Sequence, residues 1–235
     1  MLIRKSKDRG HNIISWLNSW HSFSFGHYYD PKWQGFNQLL VINEDYIAPS
    51  MGFGTHPHDN MEIITYVISG EIKHQDSMGN LGYIKPGEVQ VMSAGTGITH
   101  SEHNNKNAEQ THLLQIWVLP NKENLTPRYD QQKIFSPEEF NFFKIIAAPK
   151  NEASENNAVS LNANAQFWLG RYNKSEKIIF SPTLFKNYWV QIIKGELLVN
   201  EHNFLAGDAF AFSNKEEIQI EIKDSGAEFL IIEVA

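Results

Sequence analysis

The sequence predicts an all-β protein built from two copies of one β unit. Short runs rich in Val, Ile, Phe, Tyr and Trp recur along its 235 residues and are bounded by Gly, Pro, Asn and Asp, a pattern typical of strands and turns. Residues 56–70 align without a gap on residues 181–195, which indicates an internal repeat. Long helical periodicity is absent. Strands repeated in this way favour closed or double-sheet packing, which protects exposed strand edges.

Composition narrows the class of protein. Hydrophobic residues make up 41% and charged residues 20%, enough apolar side chain for a packed core. The net charge is -7 without clustered Lys and Arg, so we expect no direct nucleic-acid binding. No apolar run approaches the length of a membrane helix, and residues 1–10 carry alternating charges, so we expect a cytoplasmic protein without a membrane partner. Because there is no cysteine, any metal must be held by nitrogen and oxygen.

Individual elements follow from local sequence. Ser136 to Phe143 predicts a short helix, with Ser136 as the cap and Pro137 in the first turn. The polar segment Asn151 to Asn164 predicts a loop with at most one weak strand. The predicted strands are Phe36 to Asn43, Ile63 to Ser69, Val89 to Ser93, His112 to Leu119, Gln166 to Tyr172, Tyr188 to Ile193, Asp208 to Ser213, Ile218 to Ile222 and Glu228 to Val234.

The repeat sets the predicted domain organisation. Both copies reach a Gly-Glu pair, at Gly70 and Gly195, and then a second turn glycine, Gly87 or Gly207. A further strand follows that glycine in each copy. We therefore predict an N-terminal metal-binding domain over residues 1–135 and a C-terminal domain without metal ligands over residues 136–235.

Four residues form the candidate metal site. His56 and His58 flank Pro57, and side chains two apart on an extended chain project to the same face. His100 and Glu102 have the same spacing after a glycine-containing turn. Two such pairs can bring three imidazoles and one carboxylate to one point. A single His-x-His pair would more often be a surface feature, so the repeat is needed to decide.

The second copy supports the metal interpretation. It has Ser181 and Thr183 in place of the first pair, and Ile220 and Ile222 in place of the second. Isoleucine at those positions indicates that they face inward, where histidine and glutamate are costly unless they share a partner such as a divalent cation. Glu62 lies an even number of residues from His56 and His58, which would direct its side chain to the same face. It is either an additional member of the site or an exposed carboxylate. We assign no role in the site to the other histidines, namely His11, His21, His27, His74, His103, His112 and His202.

The stretch Thr55-His-Pro-His-Asp-Asn-Met-Glu62 and the stretch Pro86 to Glu102 resemble the pirin family of bicupins. The resemblance extends over Ser15 to His103 and is weaker beyond Phe140. It implies two antiparallel β-barrel (jelly-roll) cupin domains packed face to face. It also implies one metal held by the residues matching His56, His58, His100 and Glu102, and a second barrel without metal. Iron is the metal we expect, with nickel, copper, manganese, cobalt or zinc as alternatives.

Family members are associated with quercetin 2,3-dioxygenase activity, so the resemblance implies a dioxygenase that cleaves a flavonol such as quercetin with dioxygen. In that hypothesis Glu102 accepts the proton of the substrate hydroxyl. The alternative is a non-enzymatic, metal- or redox-sensing regulatory protein that binds a protein partner. A metal-dependent isomerase or hydrolase is a third hypothesis, because fold does not determine function.

Overall fold

A computed structural model of the chain describes residues 1–214 and 217–235. It confirms the predicted all-β fold with two cupin domains. In the described residues, no helix is long and apolar enough to cross a membrane.

The first half of the chain contains a short 3₁₀ helix, Ser6–Asp8, and twelve of the described strands. These are β1 (Leu2–Arg4), β2 (Gly10–Ile14), β3 (Leu17–His21), β4 (Leu39–Ile47), β5 (Gly52–His58), β6 (Glu62–Ser69), β7 (Ile72–Asp76), β8 (Leu81–Ile84), β9 (Glu88–Ser93), β10 (Ile98–Asn104), β11 (Thr111–Val118) and β12 (Arg128–Lys133).

Eleven of these strands form the two sheets of the first barrel. The larger sheet has the order β12-β9-β6-β11-β4-β3-β2, and the smaller one has the order β5-β10-β7-β8. β6 is central in the larger sheet and almost entirely buried, which explains its continuous apolar sequence. The two sheets face each other, because Thr65 on β6 lies 3.3 Å from Glu102 on β10.

The second half of the chain forms the C-terminal barrel. Its elements are β13 (Phe142–Pro149), α1 (Lys150–Asn156), β14 (Val159–Leu161), β15 (Ala165–Tyr172), β16 (Glu176–Phe180), β17 (Asn187–Val199), β18 (His202–Leu205), β19 (Ala209–Phe212) and β20 (Ile218–Val234). The main path of its sheet is β1-β19-β17-β20-β15-β13-β14. β1 therefore extends the C-terminal sheet although it comes from the first residues of the chain.

The structure also bears out the repeat. β6 lies between β9 and β11, and β17 lies correspondingly between β19 and β20. Gly70 and Gly195, aligned in the two copies, both have positive φ, 85° and 77°. A Cβ at either position would lie within 2.4 Å of an atom of a neighbouring strand or turn. Both copies therefore need glycine here, for conformation and for space. The boundary between residues 135 and 136 stays a prediction.

The two barrels share one hydrophobic core. Its buried residues include Ile64 and Leu114 from the larger N-terminal sheet and Phe167, Trp189 and Leu230 from the C-terminal sheet. The two domains therefore pack through apolar sheet faces rather than through a polar, separable contact.

The predicted helix over Ser136 to Phe143 is wrong. Its first residues form a single turn in which the amide of Glu139 donates to the carbonyl of Ser136. Asn141 then adopts a left-handed conformation, and pairing of β13 with β15 begins at the next residue. Sheet pairing overrides the local capping signal. The helix lies instead over Lys150–Asn156, within a segment predicted as a loop.

Candidate metal centre

Three of the four predicted metal ligands converge at the interior of the N-terminal barrel. β5 and β10 are antiparallel neighbours, and their register places His56 opposite His100 and His58 opposite Ile98. The ring centroid of His56 lies 4.8 Å from that of His58 and 4.4 Å from that of His100. One ring nitrogen from each of the three histidines lies within 4.8 Å of the others. The side chains of His56 and His58, two residues apart on β5, thus project to the same side of the strand, as the sequence predicts.

The nitrogens of this cluster are suited to a metal. His100 is buried, and its Nε2 has no hydrogen-bond partner among the described residues. A buried polar atom without a partner is costly, and a cation would satisfy it. Nδ1 of His56 lies 2.8 Å from the carbonyl oxygen of Gly54. Because a carbonyl only accepts, Nδ1 carries the proton and Nε2 keeps a free lone pair. The residues therefore fit a divalent transition metal.

The pKa values of two of these imidazoles favour the neutral form. Burial, followed by the neighbouring rings of His100 and His56, lowers the pKa of His58 to about 4. Burial and the rings of His56 and His74 lower the pKa of His100 to about 3. Both imidazoles are thus neutral at pH 7, as metal ligation requires.

Glu102 reaches the same cavity but is held differently. A register shift between His100 and Glu102 interrupts pairing with β5. The amide Nε2 of Gln115 donates to Oε2 of Glu102 at 2.8 Å, and the hydroxyl of Thr65 lies 3.3 Å from Oε1. One carboxylate oxygen of Glu102 lies within 4.8 Å of a ring nitrogen of His100 and of a ring nitrogen of His74. The side-chain amide of Gln115 therefore orients this carboxylate beside the cluster.

The partners of Glu102 belong to a polar row across the larger sheet. The pairing register aligns Asn43, Gln115, Thr65 and Gln90 on the adjacent strands β4, β11, β6 and β9. The hydroxyl of Thr65 also donates to the amide oxygen of Gln115 at 2.8 Å. The inner face of this sheet is thus polar at the level of Glu102.

A cavity of about 270 Å³ opens onto the cluster. Its lining includes His56, His58 and Glu102. Three aromatic rings also line it, namely Phe25, Phe53 and Trp117, together with four polar side chains, namely Ser19, Asn43, Asp45 and Gln115. The ring of Trp117 lies edge-on to both His58 and Phe25. Aromatic walls of this kind suit a flat, apolar ring with polar substituents.

Asp45 is a second carboxyl group at this cavity. It is buried, and its side chain accepts a hydrogen bond from the hydroxyl of Ser19. Burial, and to a lesser extent the charges of Glu102 and Glu44, raises the pKa of Asp45 to about 7. The sequence analysis did not identify Asp45, because its place in the cavity depends on the pairing of β3 with β4.

The structure adds His74 and Asp76 on β7 to the surroundings of the cluster. The register pairs Asp76 with His100 and His74 with Glu102. His74 is completely buried. Its two-residue spacing from Asp76 repeats the spacing of the other two pairs, and this signal was available in the sequence.

Glu62 lies outside the cavity. It is buried, and it accepts hydrogen bonds from the hydroxyl of Ser93 and from the backbone amide of Asn162 in the C-terminal half. It is therefore neither the exposed carboxylate nor the additional site member considered from sequence. Glu62 instead joins the two halves of the chain.

The corresponding region of the C-terminal barrel is apolar. Ile220 and Ile222 are completely buried in a core with Phe180 and Tyr188. Ser181 and Thr183 lie beyond the end of β16, and Thr183 accepts a hydrogen bond from Gln166. The inward direction predicted for the two isoleucines is thus observed.

Two family models match the chain. The model described as Pirin matches residues 2–118, and the model described as Quercetinase C-terminal cupin domain matches residues 145–234. The two matches correspond to the two barrels.

Comparison with individual proteins extends over nearly the whole chain. The quercetin 2,3-dioxygenase of Escherichia coli strain K12 is 38% identical over 232 residues, which are 99% of this chain and 97% of that protein. The crystal structure of YhhW from Escherichia coli has a TM-score of 0.92 with 38% identity, and covers 99% of this chain and 97% of its own. A structure of the bacterial pirin YhhW in complex with nickel(II) has a TM-score of 0.91 and 37% identity, with the same coverage.

Proposed function

Because the chain belongs to the pirin family, we propose that it is a metal-dependent dioxygenase that cleaves flavonols such as quercetin. In this proposal His56, His58, His100 and Glu102 hold one divalent metal ion. The observation that carries it is the buried, unpartnered Nε2 of His100, which belongs to a three-histidine cluster beside an aromatic-lined cavity.

The ligand types of the proposed site limit the metal to a group of transition metals. Imidazole and carboxylate ligands accept iron, nickel, copper, manganese, cobalt or zinc. We propose iron or nickel, the former from the resemblance to the pirin family and the latter because the similar YhhW structure contains nickel(II). When bound, such an ion supplies Lewis acidity that lowers the pKa of a coordinated hydroxyl group, and redox capacity toward dioxygen.

The cavity provides the binding surface for the substrate. Phe25, Phe53 and Trp117 offer ring faces and edges on which a flat aromatic molecule can stack. Asn43 and Asp45 offer hydrogen-bonding groups to the hydroxyl substituents of such a molecule. These residues favour a polyhydroxylated aromatic compound over an aliphatic acid or a sugar.

Glu102 is the group proposed to accept a proton. The 3-hydroxyl of a flavonol must lose its proton before the ring becomes electron-rich enough to react with dioxygen. Gln115 holds the carboxylate of Glu102 at the cavity, while the three histidines would hold the metal through their ring nitrogens and so would not accept the proton. Glu102 is therefore the site group suited to act as general base.

The test is turnover after reconstitution with single metals. The metal-free protein is loaded in turn with iron, nickel, copper, manganese or cobalt and mixed with quercetin in air. We expect loss of the flavonol absorption band together with oxygen uptake and carbon monoxide release. A flavone lacking the 3-hydroxyl is the matched control and should not react. Activity no higher than that of the free metals would overturn the dioxygenase proposal and favour the metal-sensing alternative.

A further inference from the structure

A hydrogen-bonded chain of three buried side chains runs behind the histidine cluster. Nδ1 of His100 lies 3.4 Å from Nδ1 of His74, and Nε2 of His74 lies 3.2 Å from Oδ2 of Asp76. The side chains of His74 and Asp76 are completely shielded from solvent. β7 carries both residues beside β10, so the chain is built into the smaller sheet.

The surroundings of Asp76 make it an acceptor. Its Oδ1 accepts hydrogen bonds from the backbone amides of Met78 and Asn80 and from the side-chain amide of Asn80. Oδ2 faces His74 and the same side-chain amide. A carboxylate surrounded by donors accepts from each of them, so Nε2 of His74 must be the protonated nitrogen that donates to Asp76.

Proton accounting along the chain then determines the tautomer of His100. A singly protonated His74 ring that donates from Nε2 has its lone pair on Nδ1 and accepts there. Nδ1 of His100 therefore carries the proton, and the lone pair of His100 is on Nε2. That nitrogen is the buried atom that has no hydrogen-bond partner in residues 1–214 and 217–235.

We propose that His74 and Asp76 are positioning residues that fix the metal-binding tautomer of His100. The inference rests on the metal site proposed above. Histidine ligands commonly donate their second ring nitrogen to a partner that sets ring orientation and tautomer, and loss of that partner typically weakens metal binding about 10- to 100-fold. Here the partner is a second histidine, which is itself oriented by a carboxylate.

The alternative is that His74 ligates the metal itself, because its ring nitrogen groups with His100 and Glu102. Both ring nitrogens of His74 are already engaged, one by Asp76 and one by His100. Ligation by His74 would break one of these bonds. The geometry therefore favours a supporting role, and the two roles predict different results for the variants below.

Asp76→Asn is the sharpest variant. The three donors that converge on Oδ1 hold the amide oxygen of the new side chain there, so its NH₂ group faces Nε2 of His74. His74 must then accept on Nε2 and donate from Nδ1, and His100 is driven to the opposite tautomer. This substitution thus reverses the direction of both hydrogen bonds, the one between Asp76 and His74 and the one between His74 and His100.

Two substitutions of His74 separate positioning from ligation. The side-chain oxygen in His74→Asn lies about where Nδ1 of the imidazole lies and can still accept from His100. His74→Phe fills the space without an acceptor. If His74 only positions His100, the asparagine variant should retain metal binding that the phenylalanine variant loses. If His74 is a ligand, both should lose it.

The first measurement is the tautomer itself, read from two-bond ¹H–¹⁵N correlations of ¹⁵N-histidine-labelled protein without metal. We expect His100, assigned by its loss in His100→Ala, to carry its proton on Nδ1 in the unsubstituted protein and on Nε2 in Asp76→Asn. The same tautomer in both would overturn the proposal. This measurement needs neither metal nor turnover, so its outcome is distinct from that of the dioxygenase test.

The second measurement is the dissociation constant for Ni²⁺ by calorimetric titration, with folding checked by thermal unfolding. We expect Asp76→Asn and His74→Phe to weaken binding about 10- to 100-fold and His74→Asn to change it by less than about threefold. Glu44→Gln is the control, because it alters a similar pair, Glu44 and His112 at 2.9 Å, on the opposite face of the larger sheet. Equal losses in both His74 variants, or unchanged affinity in Asp76→Asn, would contradict the proposal.

Discussion

The hydroxyl of Tyr66 in the N-terminal barrel donates a hydrogen bond to Oε1 of Glu228 in the C-terminal barrel at 2.8 Å. Both residues are buried, and Arg171 contacts the other oxygen of the same carboxylate at 3.1 Å. Burial and the Glu228 carboxylate raise the pKa of Tyr66 well above its ordinary value, so the phenol keeps its proton and remains a donor. This bond supplements the apolar contact between the two sheets with a directional one.

Tyr66→Phe tests that bond. We expect the free energy of unfolding to fall by about 1–3 kcal/mol, because a buried carboxylate oxygen loses its donor while the ring packing is kept. Tyr46→Phe is the matched control, since its hydroxyl contacts Glu44 within one barrel at 3.2 Å and is only partly buried. Urea unfolding of all three proteins measures the difference. Equal losses of unfolding free energy in the two variants would show that the hydrogen bond between the barrels stabilises the protein no more than one within a barrel.

His56→Ala combined with His58→Ala should abolish metal binding. Two of the three clustered imidazoles are removed. His74, the other histidine near His100 and Glu102, has both ring nitrogens engaged and so is not expected to replace them. Elemental analysis of the folded double variant after metal loading measures the stoichiometry. His103→Ala, on β10 but on the opposite face, should retain the metal content of the unsubstituted protein. Full occupancy in the double variant would refute the proposed ligand set.

Glu102→Gln should lower turnover of the flavonol about 10²- to 10⁴-fold in protein that still contains metal, because the amide cannot accept the substrate proton. Thr65→Val is the comparison, because it removes the 3.3 Å hydroxyl contact but leaves the carboxylate. It should cost less than about tenfold. Steady-state oxygen uptake, normalised to bound metal, measures both. Turnover unaffected by Glu102→Gln would assign the proton to another acceptor.

Asp45→Asn should change how stability depends on pH. The pKa of Asp45 is raised from 3.8 to about 7 in the folded protein, so its contribution is fully present below pH 3.8 and is lost as the pH rises through 7. The asparagine variant does not titrate. Relative to the variant, the unsubstituted protein should therefore lose up to about 3 kcal/mol between about pH 5 and pH 8.

The measurement is thermal unfolding of metal-free protein across that pH range. Asp224→Asn serves as control, because it makes the same change of side chain at an exposed position outside the cavity. Parallel profiles for the unsubstituted protein and Asp45→Asn would show that the Asp45 carboxyl does not titrate there.

The sequence predicted best what depends on spacing within one strand. The direction of His56, His58 and His100 followed from two-residue periodicity, and the inward direction of Ile220 and Ile222 followed from the repeat. Most predicted strands were confirmed within a few residues for the same reason.

What depends on pairing between distant strands could not be predicted. Asp45 reaches the site only through the register of β4 with β3. The two-residue spacing of His74 from Asp76 was visible in the sequence, but its place beside His100 depends on the pairing of β7 with β10. Glu62 was misjudged for a different reason. Its side-chain direction was extrapolated from the alternation of β5 across a turn in which Asn60 has a positive φ of 44°. The alternation of side chains between the two faces is not preserved through such a residue. The parity of Glu62 is set instead by β6.

Strand β1 has a consequence for the order of events during synthesis. Its Leu2 pairs with Ala211, so this strand leaves the ribosome about 200 residues before its partner is made. At typical synthesis rates of roughly 5–20 residues per second, that interval is about 10–40 s. The N-terminal barrel can assemble during this time, but the edge of the C-terminal sheet cannot be completed. β1 therefore takes its place in the C-terminal sheet only after β19 has been synthesised.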